Sequence, residues 1–181
     1  MCRIALNVIN CVLISVGLGF AILSTVGNFW VELSLSYYYE HAGLWNWCDI
    51  YICRVITNAT DILTVTRVFM IIGCVSYFFA FVLNLLTCSK KIKQRKTSGV
   101  LLCATAIFLA IGMSVYTNEA NKNGAYKYRW SYIFGWCSFS ISIVSAYICF
   151  AIEPKNDDPI KPKNDVRIEL SNLDFRYDYR P

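Results

Sequence analysis

The chain has 181 residues, of which 56% are hydrophobic and 16% are charged, with a formal net charge of +5. Soluble domains carry about 25% charged residues, so this composition excludes an ordinary soluble protein. Four windows contain no Asp, Glu, Lys or Arg: Ile4 to Val31, Val68 to Ser89, Thr97 to Asn118 and Trp130 to Ile152. About 20 apolar residues cross a bilayer as a helix, so each window is long enough to span a membrane.

The first window could also be a cleaved signal peptide. Signal h-regions run about 7–15 residues and this apolar run is nearly twice as long, which favours a true span. We expect helices at about 4–29, 66–89, 98–118 and 131–152, within one membrane domain at 1–153. Residues 154–181 contain all four prolines and few aliphatic side chains, so we expect a disordered cytoplasmic tail.

Lysine and arginine positions predict the orientation, because cytoplasmic loops retain positive charge. With four spans, both termini and the second connection lie on one side. That side carries twelve basic residues and the other side five: Arg54, Arg67, Lys122, Lys127 and Arg129. Both termini should therefore be cytoplasmic. The basic run Lys90–Lys96 is explained by this topology and by contact with membrane lipid headgroups, so we predict no nucleic-acid partner.

The first span contains small and amide residues. Gly17 and Gly19 would let helices approach closely, and Asn7 and Asn10 could form hydrogen bonds across the bundle. No span carries a charged residue in its interior, and proton relays and ion pathways usually need one. A pump or transporter is therefore disfavoured.

The connection after the first span is predicted to form a small antiparallel sheet at about 30–56. Apolar and polar residues alternate from Val31 to Ser36, which is strand periodicity. The segment "DIYICRVIT" (Asp49–Thr57) is rich in β-branched and aromatic residues and also favours a strand. The other outer connection, Glu119 to Arg129, is short and polar and is predicted to be a loop.

Two cysteines, Cys48 and Cys53, face the oxidising outer side under this topology. A disulfide between them would close a loop of six residues, contribute about 2 kcal/mol and fix a turn between two short strands. A zinc site would need about four ligands, and only His41 lies nearby, so the disulfide is favoured and no metal is predicted.

The remaining sequence features concern modification. Cys2 and Cys88 lie at the cytoplasmic membrane border and are candidate palmitoylation sites. Asn58-Ala59-Thr60 is a candidate N-glycosylation sequon on the outer side. The other five cysteines lie within spans, where cysteine is a small apolar packing residue.

Aromatic residues surround the predicted sheet. Gly43 gives the backbone freedom to turn just before Leu44 and Trp45. Trp30, Trp45 and Trp47 are amphipathic and favour the membrane–water interface, so we expect them to seat the sheet on the helix ends.

These residues resemble the signature of the claudin and peripheral myelin protein superfamily: Trp30, "GLW" at Gly43–Trp45, Cys48, Cys53 and Arg67. "TRVFMI", "SVYT" and "WSYIFGW" are similar to the epithelial membrane proteins and the lens fibre intrinsic membrane protein. The resemblance implies a left-handed, claudin-like four-helix bundle with an outer β-sheet. The four-residue cysteine spacing and the ending "RYDYRP", unsuited to a PDZ groove, favour the epithelial and lens branch over true claudins.

No catalytic set or cofactor site is apparent, since the single histidine, His41, has no nucleophile partner in the sequence pattern. The resemblance implies a non-enzymatic plasma-membrane protein of cell contacts or membrane organisation. The alternatives are an auxiliary subunit of a channel or receptor and a claudin-like paracellular barrier or pore. Tyr37, Tyr38 and Tyr39 could contact a protein partner in the same or an adjacent membrane, including a second copy, or could pack on the sheet itself.

Overall fold

The computed structural model describes residues 2–35, 38–88, 95–122 and 127–151. It contains four long helices: α1 (Cys2–Val26), α2 (Asp61–Cys88), α3 (Arg95–Lys122) and α4 (Trp130–Ala151). Each is long and apolar enough to cross a membrane, as the charge-free windows predicted. Helix α1 packs against α2 and α4, and α3 packs against the same two helices, so the four form a closed ring.

A five-stranded antiparallel sheet lies at one end of the bundle. Its strands are β1 (Val31–Leu35), β2 (Tyr38–Ala42), β3 (Asn46–Asp49), β4 (Cys53–Val55) and β5 (Lys127–Tyr128), in the spatial order β4-β3-β2-β1-β5. Strands β1 to β4 connect α1 to α2, and β5 precedes α4. The sheet therefore lies at the end of the bundle opposite the start of α1 and the end of α4, and we call this the sheet end.

Strand β5 corrects the prediction of a polar loop at 119–129. Lys127 and Tyr128 pair with Glu32 and Val31 of β1 and extend the sheet by one edge strand. Two residues are too few to show the alternation of polar and apolar side chains that identifies a strand. The pairing is produced by the backbone of β1, which lies far away in sequence.

Two helices extend further toward the sheet than the charge-free windows indicated. Helix α2 begins at Asp61 rather than near 66, because Thr60 caps it: the Thr60 hydroxyl accepts the Leu63 N–H at 3.3 Å. Helix α3 continues to Lys122 rather than ending near 118, and its last turn carries a Lys122–Glu119 ion pair at 3.0 Å. These turns continue past the charge-free windows, and their residues Leu63 and Glu119 line a cavity together with residues of the sheet.

Small and polar side chains line the contact between α1 and α4. The Ser138 hydroxyl donates a hydrogen bond to the Gly17 carbonyl oxygen at 2.9 Å, and the Asn10 amide donates to the Cys149 sulfur at 3.3 Å. Tyr77 of α2 lies against Gly17, so a larger residue would not fit there. Gly19, in contrast, has nothing within 4 Å of where a Cβ would lie, so it plays no part in close packing among the described residues.

Candidate functional site

Trp30 fixes the start of the sheet to the helices. Its side chain is fully buried, and its indole N–H donates to the Ser24 carbonyl oxygen of α1 at 2.7 Å. Its ring meets Tyr116 of α3 edge to face, with centroids 4.6 Å apart. A buried indole needs both a packing surface and a hydrogen-bond acceptor, and the helix ends provide both.

The connection between β2 and β3 rests on the end of α1. Gly43 lies so close to this end that an added Cβ would overlap the Gly27 carbonyl oxygen and lie 2.6 Å from Asn28 Cα. Leu44 is fully buried, and the Trp45 indole N–H donates to the Thr25 carbonyl oxygen at 2.7 Å. Glycine is therefore required at 43 by close backbone approach, a different reason from the turn freedom that the sequence suggested.

Arg67 of α2 holds both ends of the β3–β4 hairpin. Its Nε donates to the Leu44 carbonyl oxygen at 2.7 Å, just before β3, and an Nη2 hydrogen bond reaches the Ile56 carbonyl oxygen at 3.4 Å, just after β4. The guanidinium also lies 4.9 Å from the ring centroid of Trp45, a cation–π contact. One planar group thus joins the sheet to α2.

Unlike Trp30 and Trp45, Trp47 has no indole hydrogen bond to α1 among the described contacts. It lies in β3 opposite Arg54 and lines a cavity of about 190 Å³ between the sheet and the ends of α2 and α3. The cavity walls are mainly apolar, with Glu40 and Glu119 among the lining residues. The seating function predicted for three tryptophans is therefore carried by Trp30 and Trp45.

The disulfide between Cys48 and Cys53 closes the β3–β4 hairpin, as the sequence predicted. The two residues are directly opposite in the strand register, with Cα atoms 4.0 Å apart, and Cys48 is fully buried. The sulfur atoms and a ring nitrogen of His41 lie within 4.8 Å of one another. Because the two sulfurs are bonded to each other, they supply no thiolate ligands, and His41 instead stacks on Phe29 with centroids 4.2 Å apart.

Residues 50–52 form a turn, which corrects the prediction of a strand running through "DIYICRVIT". The Asp49 N–H donates to the Ile52 carbonyl oxygen at 3.1 Å, and the Asp49 carboxylate accepts the Tyr51 N–H at 2.9 Å. Only Cys53 to Val55 continue as strand. A β-rich composition favours a strand, but the disulfide and the Asp49 cap impose a turn here.

This turn, Ile50–Ile52, is named the hairpin tip, and it lies at the end of the sheet that points away from the helices. The β2–β3 connection rests on α1, so β3 leads away from the bundle toward the tip. Asp49 pairs with Glu40, so the tip extends to about the level of Tyr38 and Tyr39. Tyr51 is 87% exposed, with Ile50 at 55% and Ile52 at 54%.

Of the three tyrosines proposed as partner contacts, Tyr39 forms contacts within the sheet. Its hydroxyl donates to Glu32 Oε2 at 3.4 Å, and its ring lies 5.8 Å from that of His41. Tyr37 and the side chain of Tyr38 are outside the described residues. The exposed tyrosine among the described sheet residues is Tyr51, which the sequence did not single out because its segment was predicted to be a strand.

An ion pair between buried Glu32 and half-exposed Arg129 joins the two connections at the sheet end, and sequence reasoning missed it. Arg129 donates from Nε and Nη2 to the two carboxylate oxygens of Glu32, whose residue is 5% exposed. The hydrogen bond to Arg129 lowers the pKa of Glu32 below its usual 4.5, against the effect of burial. The partners are separated by 97 positions, so no local pattern indicates the pair.

The modification candidates have different settings. Asn58 is exposed in the connection between β4 and α2, and the sequon threonine, Thr60, also caps α2. The side chains of Cys2 and Cys88 lie outside the described residues, as does the whole tail from 152. N-glycosylation and palmitoylation therefore stay predictions.

Comparisons with known proteins agree with this architecture. The PMP-22/EMP/MP20/Claudin family model matches residues 4–149. Lens fiber membrane intrinsic protein of Rattus norvegicus is 23% identical over 146 residues, covering 74% of this chain and 84% of that protein. Epithelial membrane protein 1 of Homo sapiens is 29% identical over 140 residues, covering 74% and 87%. Claudin domain-containing protein 2 of Homo sapiens is 28% identical over 134 residues, covering 72% and 76%.

The family match covers most of the chain and includes every residue that seats the sheet, from Trp30 through Gly43, Leu44 and Trp45 to Arg67. It also includes all four helices apart from a few terminal residues. The resemblance inferred from these residues is thereby confirmed. The chain belongs to the PMP-22/EMP/MP20/Claudin family of membrane proteins.

Proposed function

We propose that this chain is a non-enzymatic membrane protein of cell contacts or membrane organisation, and that it acts through its β-sheet on the outer face of the plasma membrane. The observation that carries the proposal is a sheet fixed to the helix ends, with an exposed, apolar, disulfide-closed hairpin tip at the end of the sheet away from the bundle. A protein that only filled the bilayer would need no such projection.

The seating contacts support a role in presenting the sheet rigidly. Trp30 and Trp45 each donate an indole hydrogen bond to α1, and Arg67 of α2 joins both ends of the hairpin. The Glu32–Arg129 pair adds the connection before α4. The sheet is thus attached at three places, which lowers the conformational entropy lost when its edge binds a partner.

Two observations support an orientation with the sheet end outside the cell and both termini in the cytoplasm. Twelve of the seventeen basic residues lie on the side of the termini, which is the cytoplasmic pattern. The disulfide lies at the sheet end, and disulfides persist in oxidising compartments. The sheet end would then face outward, with both termini in the cytoplasm.

The relatives support the same class of function. They include a lens fibre membrane protein and an epithelial membrane protein. The charge-free span interiors offer no acid or base for chemistry within the membrane. A structural or contact function follows most directly from these properties.

Cell aggregation tests the proposal. The full chain is expressed on non-adherent cells that do not cluster, and clustering is measured at equal surface levels. Wild type should increase clustering. Arg67→Met should reduce clustering, because it removes the hydrogen bonds that attach both ends of the hairpin to α2. Mild-detergent affinity purification with mass spectrometry tests the alternatives: stable recovery of a pore-forming chain, with no clustering, would favour the auxiliary-subunit function instead.

A further inference from the structure

The hairpin tip is unusual among exposed apolar residues of the described chain. Most large hydrophobic side chains that are exposed lie on the four helices, each of which is long and apolar enough to cross a membrane. The exceptions are Ile50, Tyr51, Ile52 and Val55, all on the β3–β4 hairpin. The tip lies at the end of the sheet away from the bundle, so we infer that the bilayer crossed by the helices does not cover it.

The tip is held in an outward-facing conformation. The disulfide closes the strands behind it, and the Asp49 carboxylate and N–H fix the backbone of Tyr51 and Ile52. The neighbouring Asp49 carboxylate accepts a hydrogen bond from within the turn, and residues 50–52 themselves carry no charge. A preorganised loop loses little conformational entropy when it binds.

The size and charge of the tip favour a lipid surface over a protein. Three side chains present at most a few hundred Å², whereas a stable protein interface buries about 800 Å² on each partner. Isoleucine partitions into the acyl region, and tyrosine favours the membrane interface. Arg54, exposed just behind the tip, is positioned to meet lipid phosphate. A bilayer matches this arrangement without a shaped pocket.

We propose that the hairpin tip inserts into the outer leaflet of an apposed bilayer. Ile50 and Ile52 enter the upper acyl region, Tyr51 lies at the interface, and Arg54 contacts phosphate groups. A single tip binds weakly, and many copies on one membrane bind strongly together. This inference rests on the proposed contact function, and it identifies the contacted partner as phospholipid.

Vesicle capture tests the inference. The full chain is reconstituted in immobilised proteoliposomes. The fraction of molecules whose sheet end faces outward is measured by protease accessibility. Dye-labelled phosphatidylcholine vesicles, with or without the protein, are then added. Wild type should capture protein-free vesicles, and the triple variant Ile50→Ser/Tyr51→Ser/Ile52→Ser should lower capture at least about tenfold through the lost apolar area. Val55→Ser, which removes an exposed apolar residue from β4 behind the tip, is the matched control and should retain most of the capture.

A second measurement does not depend on a disruptive variant. Tyr51→Trp is reconstituted, and brominated acyl chains are placed only in the acceptor vesicles. Quenching of fluorescence beyond that of wild type would place residue 51 in the acceptor bilayer, and no added quenching would contradict insertion. Capture limited to protein-bearing vesicles would overturn the lipid inference in favour of a second copy, while the contact function would stand. If neither kind of vesicle is captured, the lipid inference fails, and the cell-aggregation assay decides the contact function separately.

Discussion

The Nε of Arg67 donates a hydrogen bond of 2.7 Å to the carbonyl oxygen of Leu44, a residue 23 positions earlier in the chain. This bond lies where α2 meets the hairpin, and the same side chain also reaches Ile56 and stacks over Trp45. An arginine at this position donates hydrogen bonds to two backbone carbonyls of the hairpin. Its planar, multi-donor geometry is what the position requires.

Arg67→Lys should destabilise the protein although it keeps the charge. A lysine ammonium cannot donate to two carbonyls from one plane while stacking on Trp45, so a hydrogen bond from a charged group, about 1.5–3 kcal/mol, is lost. Thermal unfolding in detergent, followed by intrinsic fluorescence, measures the effect. Arg54→Lys changes an exposed arginine of β4 and should leave the unfolding temperature unchanged. Equal unfolding temperatures for the two variants would contradict this account of Arg67.

Gly43→Ala should strongly reduce folding and surface delivery. An added methyl group would overlap backbone atoms of Gly27 and Asn28, which cannot move without displacing the end of α1. Overpacking of this kind costs about 1–3 kcal/mol, and more where the obstacle is backbone. Gly19→Ala is the matched control, because its Cβ would meet nothing within 4 Å. Surface biotinylation and thermal unfolding should separate the two variants, and similar results for both would refute the close-approach explanation.

The sequence predicted those parts of the fold that depend on local patterns. The four spans follow from charge-free windows, and β1 follows from alternation between Val31 and Leu35. The hairpin disulfide could be expected because Cys48 and Cys53 are close in sequence and lie on the side that the charge pattern predicts to be outside. Each of these signals lies within a short stretch of the chain.

The parts that sequence reasoning missed depend on long-range partners. Glu32 is buried against Arg129, a partner 97 positions away, so no local pattern predicts its burial. Strand β5 exists only because β1 presents an edge to it. The composition of the hairpin tip favours a strand, so the sequence did not predict a turn there. The turn is determined by the Asp49 hydrogen bond and the disulfide. Long-range pairing and side-chain capping are not visible in periodicity.

Breaking the disulfide should loosen the hairpin without unfolding the bundle. Cys48→Ser/Cys53→Ser removes a loop closure worth about 2 kcal/mol while avoiding a free thiol. The sheet keeps Trp30, Trp45 and Arg67, so α1 to α4 should remain packed. Limited proteolysis should show new cleavage near residues 50–52 of the variant and no new cleavage in the four helices. Cleavage identical to wild type would mean that the Asp49 turn holds the tip by itself.

Glu32 should make stability depend on pH in the acid range. Its pKa is lowered in the folded state by the Arg129 hydrogen bond, so at low pH the unfolded state binds the proton more readily. The contribution is fully present above the ordinary pKa of 4.5 and is lost as pH falls through the lower, folded-state pKa. Glu32→Gln should therefore be less stable than wild type at neutral pH, and the difference should shrink below 4.5.

Unfolding temperatures of wild type and Glu32→Gln, measured in acid-stable detergent from neutral to strongly acidic pH, test this dependence. Glu119→Gln removes an exposed carboxylate from the α3 ion pair and should have little effect at any pH, because surface ion pairs contribute little. If the difference in unfolding temperature between wild type and Glu32→Gln stays constant at every pH, the pair stabilises the protein through its shape and not through its charge.

Both termini should lie in the cytoplasm and the sheet end outside. Epitope tags at each end should stain only after permeabilisation of transfected cells, because twelve of seventeen basic residues lie on that side. Asn58, exposed beside the sheet, provides an independent reporter: a glycan there would be removed by peptide N-glycosidase and would be absent from Asn58→Gln. Thr60→Ser keeps both the sequon and a hydroxyl at the α2 cap, so it should retain any glycan. Staining of either tag on intact cells would reverse the orientation and place the hairpin tip in the cytoplasm, where it could not contact another cell.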